Sequence, residues 1–596
     1  MKTITHLTSK WLLVLILTIY PLRFAAGQTI YVDANATGAN NGTSWADAYT
    51  GLQSALNDAN SGDEIWVAVG TYKPSYDYGL VAVPPDSQVR LKHFRLKNGV
   101  AIYGGFSGIE TILEQRNWQA NETILSGNIG APSNRCYHVF YHPDGTNLDN
   151  SAILDGFTIS DGNANGSQAT TSAGGGIYDC NSSPTITNCT FSNNSGYVGC
   201  GMFNYDYSSP TVTNCTFSGN SAYGIMGGGM GNEQHSSPTV TNCIFNGNSV
   251  SGSGGGGGGM CNDNYSSPTV RDCNFSSNWV GNGLGCKGGG IANGNSNPTI
   301  TNCNFSNNWA GIGSAGSSGS GGGIYNNNSS PTITNCTFSG NAVPNGHGGG
   351  IFNFYGSPNV INCTFTGNSA YLHHPPPPPG RGGGIYNEYC NVTVINCTFT
   401  GNSSEMGGGI CNSSCSPIVI NCILWGDTAV LSGNEIYNYS SSSPVVTYSD
   451  VEGGWSGTGN INLDPYFVNA LAGNLRLLSN SPCIDKGNNA GVPADIADLD
   501  GDANTTEPTP LDLDLRLRFV DGDCNGTMFI DMGAYEFGYA GDFDCDHDVD
   551  FIDYAILAAS WLQNNPLLDI APPPAGDGIV DIEDLAVLCD NWLTGK

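Results

Sequence analysis

The chain has 596 residues, of which 84 are glycine and only 11% are charged, and its formal net charge is −32. This length exceeds what one compact core accommodates, so one long repeat body or several domains is expected, with strands and turns favoured over helices. A surface this acidic repels nucleic acid, which excludes nucleic-acid binding, and it suits divalent cations.

The first 27 residues predict a signal peptide. Lys2 and Lys10 make the N-terminus weakly basic. An apolar run, WLLVLILTIY, follows Lys10 and is too short to span a bilayer. Ala25 and Gly27 are small residues at the positions that a signal peptidase recognises before its cleavage site, so the mature protein is expected to begin at Gln28. An uncleaved anchor is the alternative. No later stretch is apolar enough to cross a membrane, so we expect a secreted protein, extracellular or at the cell surface.

Residues 28–172 predict an N-terminal cap followed by irregular first coils of a strand stack. An amphipathic helix is expected around Leu52–Ala59 because its apolar residues recur at helical spacing. Such a helix would cover the open end of the stack, where strand edges otherwise invite aggregation. Short strands are predicted at Ile65–Val69, Val100–Phe106, Thr123–Gly127 and Ile153–Ile159.

Residues 173–440 consist of one repeated unit, which reads GGGIYNNNSSPTITNCTFSGN at Gly321–Asn341. An Ile or Met follows the glycine run in each copy, and a cysteine follows 12 or 13 residues later. The distance from that cysteine to the next Ile or Met varies from 13 to 22 residues. One side of the unit is therefore fixed while the other tolerates insertion, which is typical of a solenoid coil with loops along one edge.

The strand pattern within the unit predicts a parallel β-helix. Ile333 and Cys336 are three residues apart, so strict alternation cannot place both side chains inside. A left-handed residue between two short strands can do so, and Asn335 tolerates that conformation well. The position holds Asn in every copy but one, which has Asp272. Stacked Asn side chains are expected to hydrogen-bond along the axis, and parallel crossovers favour the right hand.

The interior is predicted to hold ladders of Ile or Met from the first strand, Ile or Val from the second, and Cys and Phe from the third. Neighbouring cysteines one strand spacing apart are too distant for a disulfide, so they are predicted to be buried thiols that act as small apolar groups. Cys390 and Cys415 differ, because each lies at a turn five residues after its coil's first-strand Ile. They are a candidate disulfide. The Phe ladder comprises Phe191, Phe217, Phe245, Phe275, Phe305, Phe338, Phe365 and Phe399.

The pairing of GGG[IM] with Phe-x-x-Asn, as at Phe338–Asn341, resembles the repeat of polymorphic outer-membrane proteins and related right-handed β-helix surface proteins. The resemblance covers about half of the chain and implies the fold without implying an activity. The expected fold class is mainly β, a right-handed parallel β-helix or β-solenoid, with a small α-helical domain at the C-terminus.

The coil sequence shows no clustered acid–base set. From residue 174 to 440 the only basic residues are Arg271, Lys287 and Arg381, and the acids fall at different offsets in different copies. Carbohydrate-cleaving β-helices need two or three clustered carboxylates, or Ca²⁺ with a basic residue. The pattern therefore favours a protein without a catalytic centre, and the catalytic residues of an enzyme alternative stay unknown. Outward Thr-x-Thr pairs such as Thr332 and Thr334 resemble an ice-binding face, a minor alternative, although Thr suits strands regardless.

Residues 441–538 resemble the module called choice-of-anchor Q, at Asp464-Pro465, Ser481–Asp485 and the DMGAYE of Asp531–Glu536. The resemblance implies a cap and association with the cell surface or with export, without known catalysis.

Two further features of this module concern metal and redox chemistry. Asp498, Asp500 and Asp502 alternate along a tight loop, where their oxygens can surround Ca²⁺; a solvated acidic turn is the alternative. Cys483 and Cys524 are a second candidate disulfide.

Residues 539–596 begin with an EF-hand-type loop, whose spacing lets carboxylates at positions 1, 3, 5, 9 and 12 surround a hard cation. A helix follows, and the loop–helix pattern recurs, although DIAPPPAG from Asp569 replaces the first half of the second loop. This duplication resembles dockerin, in which each loop binds Ca²⁺ and the helices bind a cohesin module on a scaffold. The resemblance implies Ca²⁺ ligands at Asp542, Asp544, Asp546, Asp550 and Asp553, and in the second loop at Asp577, Asp581 and Asp584.

Together these patterns predict a secreted bacterial β-helix protein that acts as a structural, adhesive or glycan-contacting rod and docks through a Ca²⁺-loaded tail onto a cohesin-like scaffold. The alternative is a polysaccharide lyase or glycoside hydrolase of the pectate-lyase-like class, delivered by the same tail. Carboxylates on neighbouring coils close to an Arg or Lys would favour the enzyme, and a featureless strand face would favour the rod.

Overall fold

A computed structural model describes residues 27–80, 85–130, 134–281, 285–311, 319–344, 346–371, 379–544, 548–565, 568, 570–571 and 579–592. The predicted signal peptide lies outside these residues except for Gly27. The described helices are short: α1 Leu52–Asp58, α2 Ala169–Ser172, α3 Phe551–Ala559 and α4 Ile582–Asp590, with 3₁₀ turns at Pro85–Leu91, Leu113–Gln115, Ala470–Ala472 and Asn489–Gly491. None of the helices in this part of the chain has the length and apolar character that crossing a bilayer requires.

Four long parallel sheets form the walls of a β-solenoid, and each coil visits the second, first, third and fourth sheet in that order. The first sheet has 14 strands: Thr29–Val32, Glu64–Ala68, Ala101–Phe106, Ile153–Asp155, Thr185–Thr187, Thr211–Thr213, Thr239–Thr241, Thr269–Arg271, Thr299–Thr301, Thr332–Thr334, Asn359–Ile361, Thr393–Ile395, Ile418–Ile420 and Val445–Thr447. The second has 11 strands: Phe140–His142, Ile177–Cys180, Met202–Tyr205, Met230–Glu233, Met260–Asp263, Ile291–Gly294, Ile324–Asn327, Ile351–Phe354, Ile385–Glu388, Ile410–Ser413 and Ile436–Tyr439. The third has 13 strands: Gly70–Tyr72, Thr123–Ser126, Thr158–Ser160, Thr190–Ser192, Thr216–Ser218, Ile244–Asn246, Asn274–Ser276, Asn304–Ser306, Thr337–Ser339, Thr364–Thr366, Thr398–Thr400, Ile423–Leu424 and Asp450–Val451. The fourth has 10 strands: Asn163–Ala164, Ser195–Val198, Ser221–Met226, Ser249–Val250, Trp279–Val280, Trp309–Ala310, Ala342–Val343, Ser369–Ala370, Ser403–Met406 and Thr428–Ser432.

The fourth sheet was not expected, because the sequence between Phe-x-x-Asn and the next glycine run varies in length and reads as loops. Its strands are mostly two residues long, so they leave little periodicity to recognise. Two small pairs complete the strands: Gly319–Ser320 with Gly346–His347, and the antiparallel Phe467–Asn469 with Asn474–Leu477.

The N-terminal region follows the prediction with one difference. Helix α1 packs Leu52 and Leu56 against the first strands of the solenoid core, as expected. The single strand predicted at Ile153–Ile159 is two strands instead, in different sheets. Gly156 separates them at φ +84°, a conformation that turns the chain between the two walls.

The predicted ladders fill the interior. The eight Phe rings are fully buried and stack in parallel, with neighbouring centroids 4.5–5.0 Å apart. The Ile and Met ladder of the second sheet and the ladder of cysteines are also buried. Those cysteines are free thiols, as predicted: Cys189, Cys215, Cys243, Cys273, Cys303, Cys336, Cys363, Cys397 and Cys422.

The left-handed corner between the first and third sheets is confirmed. Asn335 has φ +52°, and the other Asn residues of this position and Asp272 lie between +51° and +56°. Asn242 donates from Nδ2 to Asn214 Oδ1 at 2.7 Å, and Asn214, Asn396 and Asn421 likewise donate to the corner Asn of the preceding coil, so the expected hydrogen-bonded stack is present in these coils.

Two further Asn ladders are buried, and neither was predicted, because repeated polar residues are more typical of turns than of an interior. One uses the Asn of Phe-x-x-Asn. Asn308 donates from Nδ2 to Phe275 O and to Asn341 Oδ1, and its Oδ1 accepts from the backbone and side-chain nitrogens of Asn278 at 3.1 and 3.0 Å. The other uses the Asn two residues after the first-strand Ile or Met, with side chains joined at 2.8–3.0 Å. Along both rows the neighbouring coils supply the hydrogen-bond partners, which fixes the register; Asn204 Oδ1, at the start of the second row, is buried without a partner among the described residues.

The region after the coil lies along the flank of the solenoid, in addition to covering its last coil. Asn335 and Asn362 donate their side-chain amides to Asp512 O at 3.0 Å and Leu511 O at 2.8 Å. Thr398 Oγ1 accepts from the backbone nitrogen of Ala534 at 3.0 Å. The same docking buries Thr301 and Thr334 to 2% and 3% exposure, so part of the Thr-x-Thr array is covered.

The Phe-x-x-Asn ladder ends in a buried carboxylate. Asp427 takes the place of Asn, accepts from Asn402, and lies beside Glu435, with both side chains nearly inaccessible. Burial raises the pKa of Asp427 to about 7, and burial together with Asp427 raises the pKa of Glu435 to about 10. Since raised carboxyl pKa values favour the protonated native state, their stabilisation is present at pH below about 4 and is lost as pH rises through 7 and then 10.

We therefore expect Asp427→Asn to raise the melting temperature at pH 8 and to flatten its decline between pH 5 and 9, because an amide continues the ladder without ionising. Thermal denaturation monitored by circular dichroism across this range is the measurement. Glu114→Gln, at an exposed acid in an early coil, is the control and should leave the pH profile unchanged. An unaltered profile for Asp427→Asn would contradict the assignment.

Candidate metal sites of the C-terminal region

The tail brings three of the predicted Ca²⁺ ligands together. Asp542, Asp544 and Asp553 each place a carboxylate oxygen within 4.8 Å of the others. Asp553 is fully buried; its Oδ1 accepts from the backbone nitrogens of Phe543 and Asp544, and its Oδ2 accepts from that of Asp550. The donor set consists of carboxylates alone, which fits a hard cation such as Ca²⁺.

The remaining predicted ligands of this loop are placed differently. Asp550 caps helix α3, since its Oδ1 accepts from Ile552 N at 2.8 Å, and Asp546 lies outside the described residues. The sequence therefore identified the loop, whereas only the structure shows which carboxylates converge. Ca²⁺ ligation at the five positions stays a prediction.

The second loop repeats the backbone arrangement without the same ligands. Asp584 Oδ1 accepts from Ile570 N at 2.6 Å and Ala571 N at 2.9 Å, as Asp553 does from Phe543 and Asp544. Ala571 thus takes the structural place of Asp544 and offers no side-chain oxygen. Asp581 caps helix α4, and Asp577 lies outside the described residues. This donor set fits Ca²⁺ less well than that of the first loop.

We expect Asp544→Asn to weaken Ca²⁺ binding by the tail at least about tenfold, because one of three converging charges is lost. Isothermal titration of the EDTA-treated full chain would measure the change. The matched control is Glu583→Gln, an exposed acid on helix α4, which should leave binding unaltered. Equal affinities for Asp544→Asn and the unmodified chain would show that this cluster does not bind the ion.

The loop of Asp498, Asp500 and Asp502 also forms a cluster, with one oxygen of each within 4.8 Å of the others. The structure adds Asp495 and Glu507, which converge on Asp500 in the same way. Neither residue was predicted as a ligand, because Asp495 lies three residues before Asp498 and is out of step with the alternation of Asp498, Asp500 and Asp502. Glu507 gives no local signal, because a backbone contact across the loop brings it near.

A third cluster joins residues distant in sequence. Asp485, Asp521 and Asp523 lie within the same reach, and Asp485 accepts from Asp523 N at 2.6 Å. Burial, with the neighbouring Asp523, raises the pKa of Asp485 to about 7. Asp521 and Asp523 alternate along the sequence, but the contribution of Asp485 depends on tertiary packing.

The two candidate disulfides are not formed. Cys483 is a buried free thiol that donates to Asp450 Oδ2 at 3.3 Å, whereas Cys524 is disulfide-bonded elsewhere. Cys390 and Cys415 are adjacent in neighbouring coils but are both buried free thiols. Their sulfurs point at the backbone oxygens of Asn353 and Asn387, because each turn is stacked on the preceding coil.

A polar groove of about 410 Å³ lies on the flank of the early coils, lined by Trp118, Glu122, Asn188 and Asn214 among others. Arg116 fixes its wall: the guanidinium pairs with Asp155 at 2.5 Å and lies 4.9 Å from the Trp118 ring. Trp118 keeps 37% of its surface exposed. An exposed aromatic ring beside amides and a carboxylate is the chemistry that contacts sugars.

The comparisons agree with the architecture. Residues 100–255 and 233–374 match the family described as right handed beta helix region. Residues 362–388 and 396–413 match the Chlamydia polymorphic membrane protein repeat. The predicted β-helix, its hand and the predicted repeat resemblance are thereby supported. No curated protein matches this chain.

Among solved structures, pectate lyase Pel9A matches with a TM-score of 0.34 and 14% identity over 86% of this chain and 97% of that chain. A rhamnogalacturonan lyase gives 0.27 and 11% over 74% and 91%. A mannuronic acid specific polysaccharide family 6 lyase from human gut microbiota gives 0.26 and 10% over 73% and 78%. At these values the similarities carry no argument about activity.

Proposed function

We propose that this right-handed β-helix protein is an extracellular or surface rod that contacts glycans and docks through a Ca²⁺-loaded tail. The observation that carries the proposal is the in-register stacking of the coils. The repeated Phe, Cys, Ile and Asn positions face the interior or form corners, so they build the rod. At about 4.8 Å per coil, the 14 strands of the first sheet give a length of roughly 60 Å.

The groove beside Trp118 supports the glycan-contacting part. A sugar ring can stack on the exposed indole face while hydroxyl groups bond Asn188, Asn214 and Glu122. With a net charge of −32 and a carboxylate in the groove, a neutral polysaccharide is favoured over an acidic one.

The tail supports the docking part. Phe551 and Ile582 occupy the same place at the start of helices α3 and α4, directly after the capping aspartates, and are 76% and 64% exposed. Exposed apolar residues on two equivalent helices suit a protein partner. The dockerin resemblance makes that partner a cohesin-like module on a scaffold.

Affinity electrophoresis in gels containing xylan, glucomannan or hydroxyethyl cellulose tests glycan contact. We expect retardation of the unmodified chain and its loss in Trp118→Ala. Trp309→Ala removes a ring with 39% exposure from the fourth sheet and is the matched control. Equal retardation of both variants would locate binding elsewhere, and no retardation in any gel would remove the glycan role.

The polysaccharide lyase or glycoside hydrolase alternative is tested separately. The chain is incubated with polygalacturonate, rhamnogalacturonan and alginate in the presence of Ca²⁺, and product absorbance and reducing ends are followed. Constant readings are expected for a rod. Release of oligosaccharides would overturn the rod and establish an enzyme.

A further inference from the structure

The loop of residues 495–507 closes on itself against the solenoid. Its neck is held by Asp495 N donating to Glu507 O and Thr509 N donating to Pro493 O, both at 2.8 Å. Five carboxylates lie within or at the ends of this loop: Asp495, Asp498, Asp500, Asp502 and Glu507. None of the ion pairs among the described residues involves any of them.

Asp495 is the carboxylate of this loop whose environment points most clearly to a bound ligand. Its side chain is 1% exposed; Oδ2 accepts from Leu499 N at 2.7 Å, while Oδ1 is buried and has no hydrogen-bond partner among the described residues. Glu507 shows the same asymmetry, because Oε2 accepts from Asn504 and the buried Oε1 has no such partner. An unsatisfied buried carboxylate oxygen is costly, and a bound cation or a proton removes that cost. Asp495, Asp500 and Glu507 each place one carboxylate oxygen within 4.8 Å of the others, which is close enough for the three residues to share one cation.

The loop also contacts the rod. Arg271, at the end of a strand in the middle of the first sheet, donates from Nη2 to the backbone oxygens of Ala497 and Asp498. These carbonyls lie between Asp495 and Asp500, so ordering the carboxylates also orders the segment that Arg271 holds. Arg271 interrupts the Thr-x-Thr array, and this contact gives its physical reason.

We propose that Asp495, Asp500 and Glu507 bind a Ca²⁺ ion, assisted by Asp498 and Asp502, and that this ion fastens the C-terminal module to the flank of the solenoid at Arg271. Ca²⁺ prefers six to eight oxygen ligands, which a loop of five carboxylates and nearby carbonyls supplies. Mg²⁺ demands a stricter octahedron and retains water, so it fits a buried Asp495 less well. The site is distinct from the tail loop and does not depend on its docking role.

Calcium titration of the full chain tests the site. Every protein compared carries Asp544→Asn, so that Ca²⁺ binding by the tail is weakened to the same extent in all of them. In that background we expect Asp495→Asn to remove one bound Ca²⁺ or to weaken it at least about tenfold. Glu507→Gln changes a less buried ligand and serves as the second variant in case Asp495→Asn does not fold. It should reduce Ca²⁺ binding to the same extent. Asp464→Asn is the matched control. Unchanged stoichiometry and affinity in both variants would overturn the site.

A second experiment tests whether Ca²⁺ binding and the contact of the loop with Arg271 are thermodynamically coupled. If ion binding and contact with the rod stabilise each other, Arg271→Met should lower the Ca²⁺ affinity of this site at least about threefold. Ca²⁺ should also slow amide exchange in residues 495–509 of the unmodified chain and less so in Arg271→Met, as measured by mass spectrometry. Equal affinity and equal protection in the two proteins would overturn the fastening while leaving the ion site intact.

Discussion

Replacing Asn308 by alanine is expected to destabilise the solenoid by about 2 kcal/mol or more, although the residue is neutral and small. Four groups lose a partner: the backbone and side-chain nitrogens of Asn278, the side-chain oxygen of Asn341 and the carbonyl of Phe275. The Asn278 side-chain nitrogen keeps Phe245 O, and the Asn341 side-chain oxygen keeps the backbone nitrogen of residue 308. Each buried polar group left unsatisfied costs about 1–3 kcal/mol, and the closed ladder excludes water as a substitute. Urea denaturation followed by circular dichroism would give the change in free energy of unfolding.

Asn307→Gly is the matched control for this prediction. Asn307 is the exposed neighbour at φ +54°, and other copies of the repeat carry glycine there, as at Gly340. Glycine keeps the left-handed turn, so a change of less than about 1 kcal/mol is expected. If Asn308→Ala cost no more than Asn307→Gly, the buried Asn ladder would not contribute to stability.

Arg518→Met is expected to unfold the C-terminal module while leaving the coils folded. The Arg518 guanidinium is fully buried, bonds Glu536 Oε1 at 2.7 Å and also donates to Ala534 O. Burial and the neighbouring Asp531 raise the pKa of Glu536, so this arginine is the charge that makes its ionised form tolerable. Removing one member of a buried ion pair costs about 3–5 kcal/mol.

The measurement is amide exchange by mass spectrometry on the full chain. Residues 481–537 should lose protection in Arg518→Met, whereas the strands near Phe191 should keep it, because each coil depends mainly on its neighbours. Arg476→Met is the matched control: its pair with Asp514 is 44% exposed on the arginine side, so a change below about 1 kcal/mol is expected. Protection retained throughout the module in Arg518→Met would contradict the prediction.

The tail and the 495–507 loop show which metal ligands a local sequence pattern can predict and which it cannot. The EF-hand spacing identified Asp542, Asp544 and Asp553, because those ligands lie on one short loop whose length fixes their separation. It did not show that Ala571 replaces Asp544 in the second copy, since an insertion hides the alignment until the hydrogen bonds of Asp584 reveal it. Asp485 and Glu507 join their clusters only through tertiary contacts.

The sequence by itself determined the solenoid, its buried Phe and Cys ladders and the left-handed Asn corner. The physical reason is repetition: each coil packs against a near-copy of itself, so residues at equivalent positions of successive repeats are also in contact in the structure. Only the tertiary structure decided where the C-terminal module lies, which carboxylates converge and that Cys390, Cys415 and Cys483 remain free. Those features join unlike segments, such as Arg271 with Asp498 or Asn335 with Asp512, whose separation in sequence carries no period.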